Sequence, residues 1–221
     1  MSGTPRLVAP DRRRPLPARP VRDERDDGAV PGGAVPAGDA VLRDYAARLR
    51  ALTGRAVPDF DPADGGARAR MLLLLETPGP AIFGTGVVSR DNPTGTARNL
   101  RRFLDAAGIA RRDLAIWNAV PFVIHAPGAR NRAPRAGEVA EGLRLLPSLL
   151  RLLPRLEIAV LAGRVARAAE PALREARPGL AVLTMPHPSP TYVCTSPEVA
   201  ARIGATLGLA ASILARRALA A

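Results

Sequence analysis

The sequence predicts an α/β fold, a three-layer α/β/α sandwich around a four-stranded parallel sheet. Four short apolar runs alternate along the chain with longer stretches that carry apolar residues at helical spacing. Strands that alternate with helices form parallel sheets with helices on both faces, joined by right-handed crossovers. A length of 221 residues and an apolar content of 47% are sufficient for one domain with its own core.

Each of the four apolar runs has the pattern of a strand buried on both faces. The runs are four to six apolar residues long, rich in leucine or β-branched residues, and end at Gly, Pro or Asn. They are MLLLLE (71–76), DLAIWNAV (113–120), EIAVLAG (157–163) and LAVLTMP (180–186).

The stretches around these runs predict helices. The first begins at Asp39, a candidate N-cap, and stops at a glycine. The others span about 93–108, 136–154, 164–176 and 197–218, and Pro147 and Pro171 each mark a kink or a helix start. The apolar stretch 199–220 is interrupted by three arginines, which favours a packed amphipathic helix over a membrane span.

Residues 1–38 form a predicted disordered tail ahead of a folded domain at 39–221. The tail is rich in Pro, Gly, Arg and Asp and has no periodic apolar pattern, so it cannot bury enough surface to offset its ordering entropy. Its seven arginines and five acids leave a net charge of +10 out of +12 for the folded part. No apolar segment of the signal-peptide type stands at the N-terminus, so we expect a cytoplasmic protein.

The charged residues and the single cysteine limit the chemistry. All 32 cationic residues are arginine, so no lysine Schiff base can form. Cys194 alone excludes an intrachain disulfide and any cluster or zinc site built from several thiolates. A net charge of +12 favours a polyanionic partner, and an ordinary basic protein without such a partner is the alternative on charge alone.

Polar side chains follow three of the four strands, at the edge where parallel sheets bind ligands. Glu76 and Thr77 leave the first strand, Asn118 lies near the end of the second, and the last runs into MPHPSP, which contains His187 and Ser189. Each has a simpler explanation: a solvated glutamate, an asparagine that satisfies loop backbone groups, or a structural histidine. Their coincidence at one edge, in loops stiffened by proline, favours a preorganised pocket.

A basic segment accompanies the predicted pocket. Residues 90–135 contain nine arginines and three acids, a net charge of +6. The long loop at 79–100 carries neither a Walker motif nor Gly-x-Gly-x-x-Gly, so no nucleotide cofactor is expected. A basic flank beside a small polar pocket suits an enzyme that holds a nucleic-acid backbone and inspects one base.

The motifs LETPGP (75–80), WNAVPF (117–122) and HPSP (187–190) together resemble those of the uracil-DNA glycosylase superfamily. Members carry Gly-Glu-Ala-Pro-Gly or Gly-x-Asn-Pro-Gly after the first strand, an asparagine at the end of the second, and His-Pro-Ser after the last. The order matches, and the likeness covers about residues 70–215. It implies a base excision repair enzyme that hydrolyses the N-glycosidic bond of uracil or a related deaminated base in DNA. We expect it to work as a monomer, without cofactor, metal or membrane, associated with the nucleoid.

The resemblance also implies roles for the strand-end residues. Glu76, with Thr77 beside it, orients or activates the water that attacks the sugar. His187 stabilises negative charge on the departing uracil, and Asn118 reads the polar edge of the flipped base. The absence of lysine agrees with a monofunctional glycosylase that leaves an abasic site.

Contacts with DNA are expected from residues around the pocket. By the resemblance, Ser189 holds phosphates and Arg90 belongs to the basic flank that grips the strand. Thr191 or Tyr192 fills the space that the extruded base leaves. The residue that stacks on the base is Phe83 or Val87 in the first loop, and Phe122 is another candidate.

The sequence departs from the family in three ways, which leaves alternatives open. Cys194 alone cannot supply the four-cysteine iron–sulfur cluster of one branch, Leu75 replaces the first glycine of the first motif, and Thr77 stands where several active branches have Asp or Asn. A threonine activates water poorly, so a DNA lesion-binding member without turnover is one alternative. An unrelated hydrolase acting on a small molecule through Glu76 and His187 ranks last, because the chain has no Gly-x-Ser-x-Gly elbow or metal cluster.

Overall fold

The computed structural model describes the backbone of residues 37–129 and 131–219, and the side chains of residues 40–129 and 131–216. Within them, one sheet contains four parallel strands, the order across the sheet being β4-β2-β5-β6. These strands are β2 (Met71–Leu75), β4 (Leu114–Asn118), β5 (Ile158–Ala162) and β6 (Ala181–Met185), which confirms the four predicted strands. A further parallel pair, β1 (Asp59–Phe60) and β3 (Val87–Val88), lay outside the prediction because two residues are too few to show a periodicity.

Eight α-helices connect and cover the strands of this part of the chain. They are α1 (Ala37–Thr53), α2 (Ile82–Thr85), α3 (Gly95–Ala106), α4 (Ala136–Arg151), α5 (Arg164–Arg167), α6 (Glu170–Ala176), α7 (Pro190–Val193) and α8 (Pro197–Leu219). The predicted helix at 164–176 is wrong as one continuous helix, since it is split into α5 and α6. Pro171 explains the split, because it lies in the first turn of α6, where its missing N–H has no helical partner to lose.

The core lies on both faces of the sheet, as the apolar runs predict. Every residue of β4 and β5 is buried, and four of the five residues of β2 are buried. Helix α8 packs on β5 and β6 and contacts α3 and α7. Helix α4 contacts α6, and its Leu145 carbonyl accepts a hydrogen bond from the Tyr45 hydroxyl of α1. The predicted three-layer α/β/α sandwich is therefore confirmed.

The register of the sheet brings the strand ends to one edge. Leu75 of β2 lies opposite Asn118 of β4, Leu74 lies opposite Leu161 of β5, and Ala162 lies opposite Met185 of β6. All four strands run in the same direction, so the loops that follow them leave from the same side.

The predicted N-terminal tail and the C-terminal helix α8 are the two ends of the chain. The predicted tail at 1–38 lies almost wholly outside the described residues and stays a prediction. Helix α8 is long and apolar enough over Pro197–Arg216 to cross a membrane by length and composition. Its side chains Ile203, Leu207, Ala210 and Leu214 are buried in the core, as expected of a packed amphipathic helix.

Candidate active site

A cavity of about 260 Å³ lies at the carboxyl edge of the four-stranded sheet. Its walls combine apolar side chains with hydroxyls, amides and one imidazole. The polar side chains come from the ends of β2 and β4, the segment that leads into α3, the loop after β4 and the loop after β6. They are Thr77, Asn92, Thr94, Thr96, Asn118, Asn131 and His187. The structure thus brings together three residues that the sequence analysis singled out: Thr77, Asn118 and His187.

Asn118 is the last residue of β4 and is only 2% exposed. The backbone ladder continues past it, because the Ala119 N–H donates to the Leu75 carbonyl (2.9 Å) and the Val120 N–H donates to the Glu76 carbonyl (3.0 Å). These bonds hold the strand end rigidly. No hydrogen bond among the described residues uses the Asn118 side-chain amide, so its donor and acceptor are available to a ligand in the cavity.

His187 enters the cavity from the loop that follows β6. Its Nδ1 accepts a hydrogen bond from the backbone N–H of Ser189 (3.2 Å), so the imidazole hydrogen of the neutral ring is on Nε2. Burial lowers the pKa of His187, and the nearby Glu76 carboxylate acts in the opposite direction. The Asn99 side chain donates to the Pro188 carbonyl (3.0 Å) and fixes the loop from α3. His187 is therefore held as a neutral imidazole with a defined N–H donor.

Glu76 is not among the residues that line the cavity, and its expected action on the attacking water stays a prediction. Its Oε1 instead accepts a hydrogen bond from the backbone N–H of Val165 at the start of α5 (3.0 Å). The carboxylate lies against Gly163, in the turn between β5 and α5. Thr77, the next residue, lines the cavity.

None of the three predicted stacking residues lines the cavity. Phe83 is 45% exposed and packs edge-on against His125, with ring centroids 5.7 Å apart. Val87 lines a different cavity, and its neighbour Val88 lines this one, since successive side chains of a strand point to opposite faces. Phe122 is fully buried, and the Arg55 guanidinium lies over its ring. The apolar side chains that do line the cavity are aliphatic.

Three amide and hydroxyl side chains of the lining precede or begin α3. Thr94 is the N-cap of α3 and accepts a hydrogen bond from the Ala97 N–H (3.1 Å). The Asn92 side chain donates to the Val87 carbonyl (2.9 Å) and ties the segment to β3. Sequence analysis did not single out Asn92, Thr94 or Thr96, although Thr94 stands just before a helical pattern, which is the N-cap signature.

A partly buried ionic cluster contacts the same segment through Asp91. Arg111 pairs with Asp61, Asp64 and Asp91, and the Ser89 hydroxyl donates to Asp61. Burial, reinforced by the charge of Asp61, raises the pKa of Asp64 to about 7, and its Oδ2 has no hydrogen-bond partner. Nowhere in the described ranges are three or more His, Cys, Asp or Glu side chains grouped so that they could hold a metal ion.

The basic flank is less available to DNA than its composition suggests. The structure describes eight of its nine arginines, and four of these are engaged by carboxylates, namely Arg90, Arg101, Arg111 and Arg132. The Arg90 side chain is only 11% exposed and pairs with Asp105 (3.2 Å), and its contact with DNA stays a prediction. Arg98, Arg102, Arg112 and Arg135 are exposed.

The other predicted DNA contacts lie on or next to α7. Thr191 and Tyr192 are exposed, and the Tyr192 ring centroid lies 6.4 Å from that of His187. Ser189 is half-buried and precedes the first residue of α7. None of the three lines the cavity, so they form part of the surface next to His187. Their roles stay predictions.

Comparison with protein families shows to which family the chain with this cavity belongs. The family model of the Uracil DNA glycosylase superfamily matches residues 62–203, a range that contains every residue lining the cavity. The chain belongs to the uracil DNA glycosylase superfamily. No curated protein matches the sequence. The solution NMR structure of a "putative Uracil DNA glycosylase" from Methanosarcina acetivorans is similar over 64% of this chain and 91% of that chain, at 16% identity and a TM-score of 0.42.

Proposed function

We propose that this superfamily member hydrolyses the N-glycosidic bond of uracil, or of a related deaminated base, in DNA and leaves an abasic site. One observation carries the proposal: a buried amide, Asn118, and a neutral imidazole with its hydrogen on Nε2, His187, line the same cavity. A pyrimidine ring offers both an edge for the amide and a carbonyl oxygen for the N–H donor.

The flipped base would enter the cavity between aliphatic walls. Ile82, Val88 and Leu100 are apolar lining residues and would contact the faces of the ring. The Asn118 amide would pair with the polar edge of the base, and discrimination would follow because a mismatched edge leaves a buried amide unpaired. Flipping costs a few kcal/mol, and less at a U·G mismatch than at a regular pair.

His187 would act on the bond that breaks. As the bond between C1′ and N1 of uracil breaks, its electron pair stays with the base and negative charge develops on O2. The Nε2–H donor would stabilise that charge, and one preorganised donor of this kind contributes about 10²–10³ in rate. A water oxygen then bonds to C1′, releases a proton, and completes the abasic site.

The arrangement around the attacking water favours a second candidate function. Among the described residues no carboxylate lines the cavity: the Glu76 side chain bonds to α5, and the neighbouring position is Thr77. The Thr77 hydroxyl can orient a water molecule but cannot accept its proton at neutral pH. A protein that binds the lesion and turns over very slowly is therefore the alternative to the glycosylase.

DNA would approach over α3 and α7 at the rim of the cavity. Arg98 and Arg102 lie exposed on α3, and Thr191 and Tyr192 lie exposed on α7 next to His187. Contacts of arginine with phosphates would make binding fall as salt rises. We propose that the chain works as a monomer on DNA, in the cytoplasm and at the nucleoid.

The decisive experiment uses duplex and single-stranded oligonucleotides that contain one uracil, opposite G or A, followed by alkaline cleavage. Strand scission by the wild type, with a loss of about 100-fold or more in Asn118→Ala and His187→Ala, is the expected result. His125→Gln is the control, because His125 is the only other histidine and does not line the cavity.

The same oligonucleotides separate the two candidates. Binding that prefers uracil, without scission, would support the lesion-binding protein and refute turnover. Binding that ignores the lesion, without scission of uracil or hypoxanthine substrates, would refute both.

A further inference from the structure

Glu76 connects the ends of β4 and β5, the two strands that flank β2 in the sheet. Its backbone carbonyl accepts the Val120 N–H (3.0 Å), immediately after the strand that carries Asn118. Its side chain reaches the other way and accepts the Val165 N–H (3.0 Å) in the first turn of α5. One residue therefore joins the end of β4 to the turn after β5.

Gly163 lies close to both the Glu76 carboxylate and His187. It is buried, and its φ of +96° lies in the region that favours glycine. A Cβ placed there would overlap Oε1 of Glu76, and would lie 3.0 Å from its Cδ and 3.1 Å from Cβ of His187. The backbone of Gly163 thus packs between the carboxylate and the histidine, with no room for a side chain.

The surroundings of His187 leave Glu76 as the charged group that acts on it. The Ser189 N–H donates to Nδ1, and the neighbouring ring on α7 is that of Tyr192. Among the described residues, the Glu76 carboxylate is the charge that opposes the effect of burial on the imidazole.

We propose that Glu76 is a positioning residue: it does not line the cavity but holds the β5–α5 turn against His187. Position 163 must be glycine, because its backbone packs between the carboxylate and the histidine. Glu76 acts through His187 rather than on the attacking water. This inference rests on the proposed function for its kinetic test, while its spectroscopic test does not.

The conservative variant distinguishes positioning from direct catalysis. Glu76→Gln keeps an oxygen that accepts the Val165 N–H, whereas Glu76→Ala removes it. A misplacement of about 1 Å costs on the order of 100-fold in rate, so we expect Glu76→Ala to lower kcat about 10- to 100-fold while Glu76→Gln stays within about threefold of wild type. An equal loss in both variants would overturn the inference, because a group that takes a proton from water cannot be replaced by an amide. Glu170→Gln, on exposed α6, is the matched control.

The second measurement needs no substrate. The chain has two histidines, so NMR titration of the free protein reports His187 directly, with the His125 signal as an internal reference. Removal of the carboxylate charge in Glu76→Gln should lower the pKa of His187 and leave the His125 signal where it was. An unchanged His187 titration would overturn the inference even if the protein hydrolyses uracil. A lowered pKa in a protein without glycosylase activity would uphold the inference and refute only the proposed function.

Discussion

The buried Asp64 makes a quantitative prediction about stability and pH. Its side chain is 3% exposed, and burial together with the charge of Asp61 raises its pKa from 3.8 to about 7. The folded protein therefore keeps a proton that the unfolded chain loses between about pH 4 and pH 7, and stability falls as pH rises through this window. Since one pKa unit corresponds to about 1.4 kcal/mol, the raised pKa costs about 4 kcal/mol of unfolding free energy by pH 8.

The Asp64→Asn variant isolates this contribution because an amide does not titrate. Oδ2 of Asp64 has no hydrogen-bond partner, so the amide that replaces the carboxyl removes no hydrogen bond at that atom. The difference in unfolding free energy between wild type and variant should shrink by about 4 kcal/mol from pH 4 to pH 8. Urea unfolding followed by the fluorescence of Trp117, the single buried tryptophan, measures it. Parallel pH profiles for the two proteins would refute the reasoning, and Asp44→Asn on the exposed face of α1 is the control.

Two further pairs of variants test the supports of the cavity. Ser189 has a φ of −65°, which proline also adopts, so Ser189→Pro should fold but remove the N–H that His187 accepts. We expect the kcat of Ser189→Pro to be about 3- to 10-fold lower than that of Ser189→Ala, which keeps the N–H. Equal rates of the two variants in single-turnover assays would contradict a role for this N–H in holding His187. A Cβ at Gly142 of α4 would overlap the carbonyl oxygen of Ala119, the residue after Asn118, so Gly142→Ala should destabilise the protein by about 1–3 kcal/mol and slow the reaction. Gly137→Ala in the same helix meets no atom within 4 Å and should be neutral or stabilising by thermal melting.

Sequence patterns predicted the sheet and predicted that the polar residues at the ends of its strands lie at one edge. Apolar runs of strand length, separated by helical stretches, fix both the strands and their parallel direction, and the direction alone places Thr77, Asn118 and His187 at one edge. These predictions succeeded because each depends on local patterns and on general rules of chain connection.

The direction of individual side chains was not predictable in the same way. Glu76 and Thr77 are adjacent, and only Thr77 lines the cavity. The Glu76 side chain instead accepts a hydrogen bond from the N–H of Val165, which is 89 residues away in the chain. The choice between Val87 and Val88 depends on pairing of β3 with β1, two strands of two residues each. Arg90 is withdrawn from the surface by Asp105, which requires α3 to be in place first. All three outcomes follow from tertiary contacts that leave no periodic signal in the sequence.

Release of free base from DNA tests the central claim most directly. Purified protein would be incubated in excess over a single-uracil duplex, and liberated uracil would be quantified by chromatography and mass spectrometry. The structure predicts stoichiometric uracil release and an equal amount of abasic DNA, with release slowed about 100-fold or more in Asn118→Ala. An intact uracil-containing strand after complete incubation, with wild type and Asn118→Ala indistinguishable, would contradict the assignment.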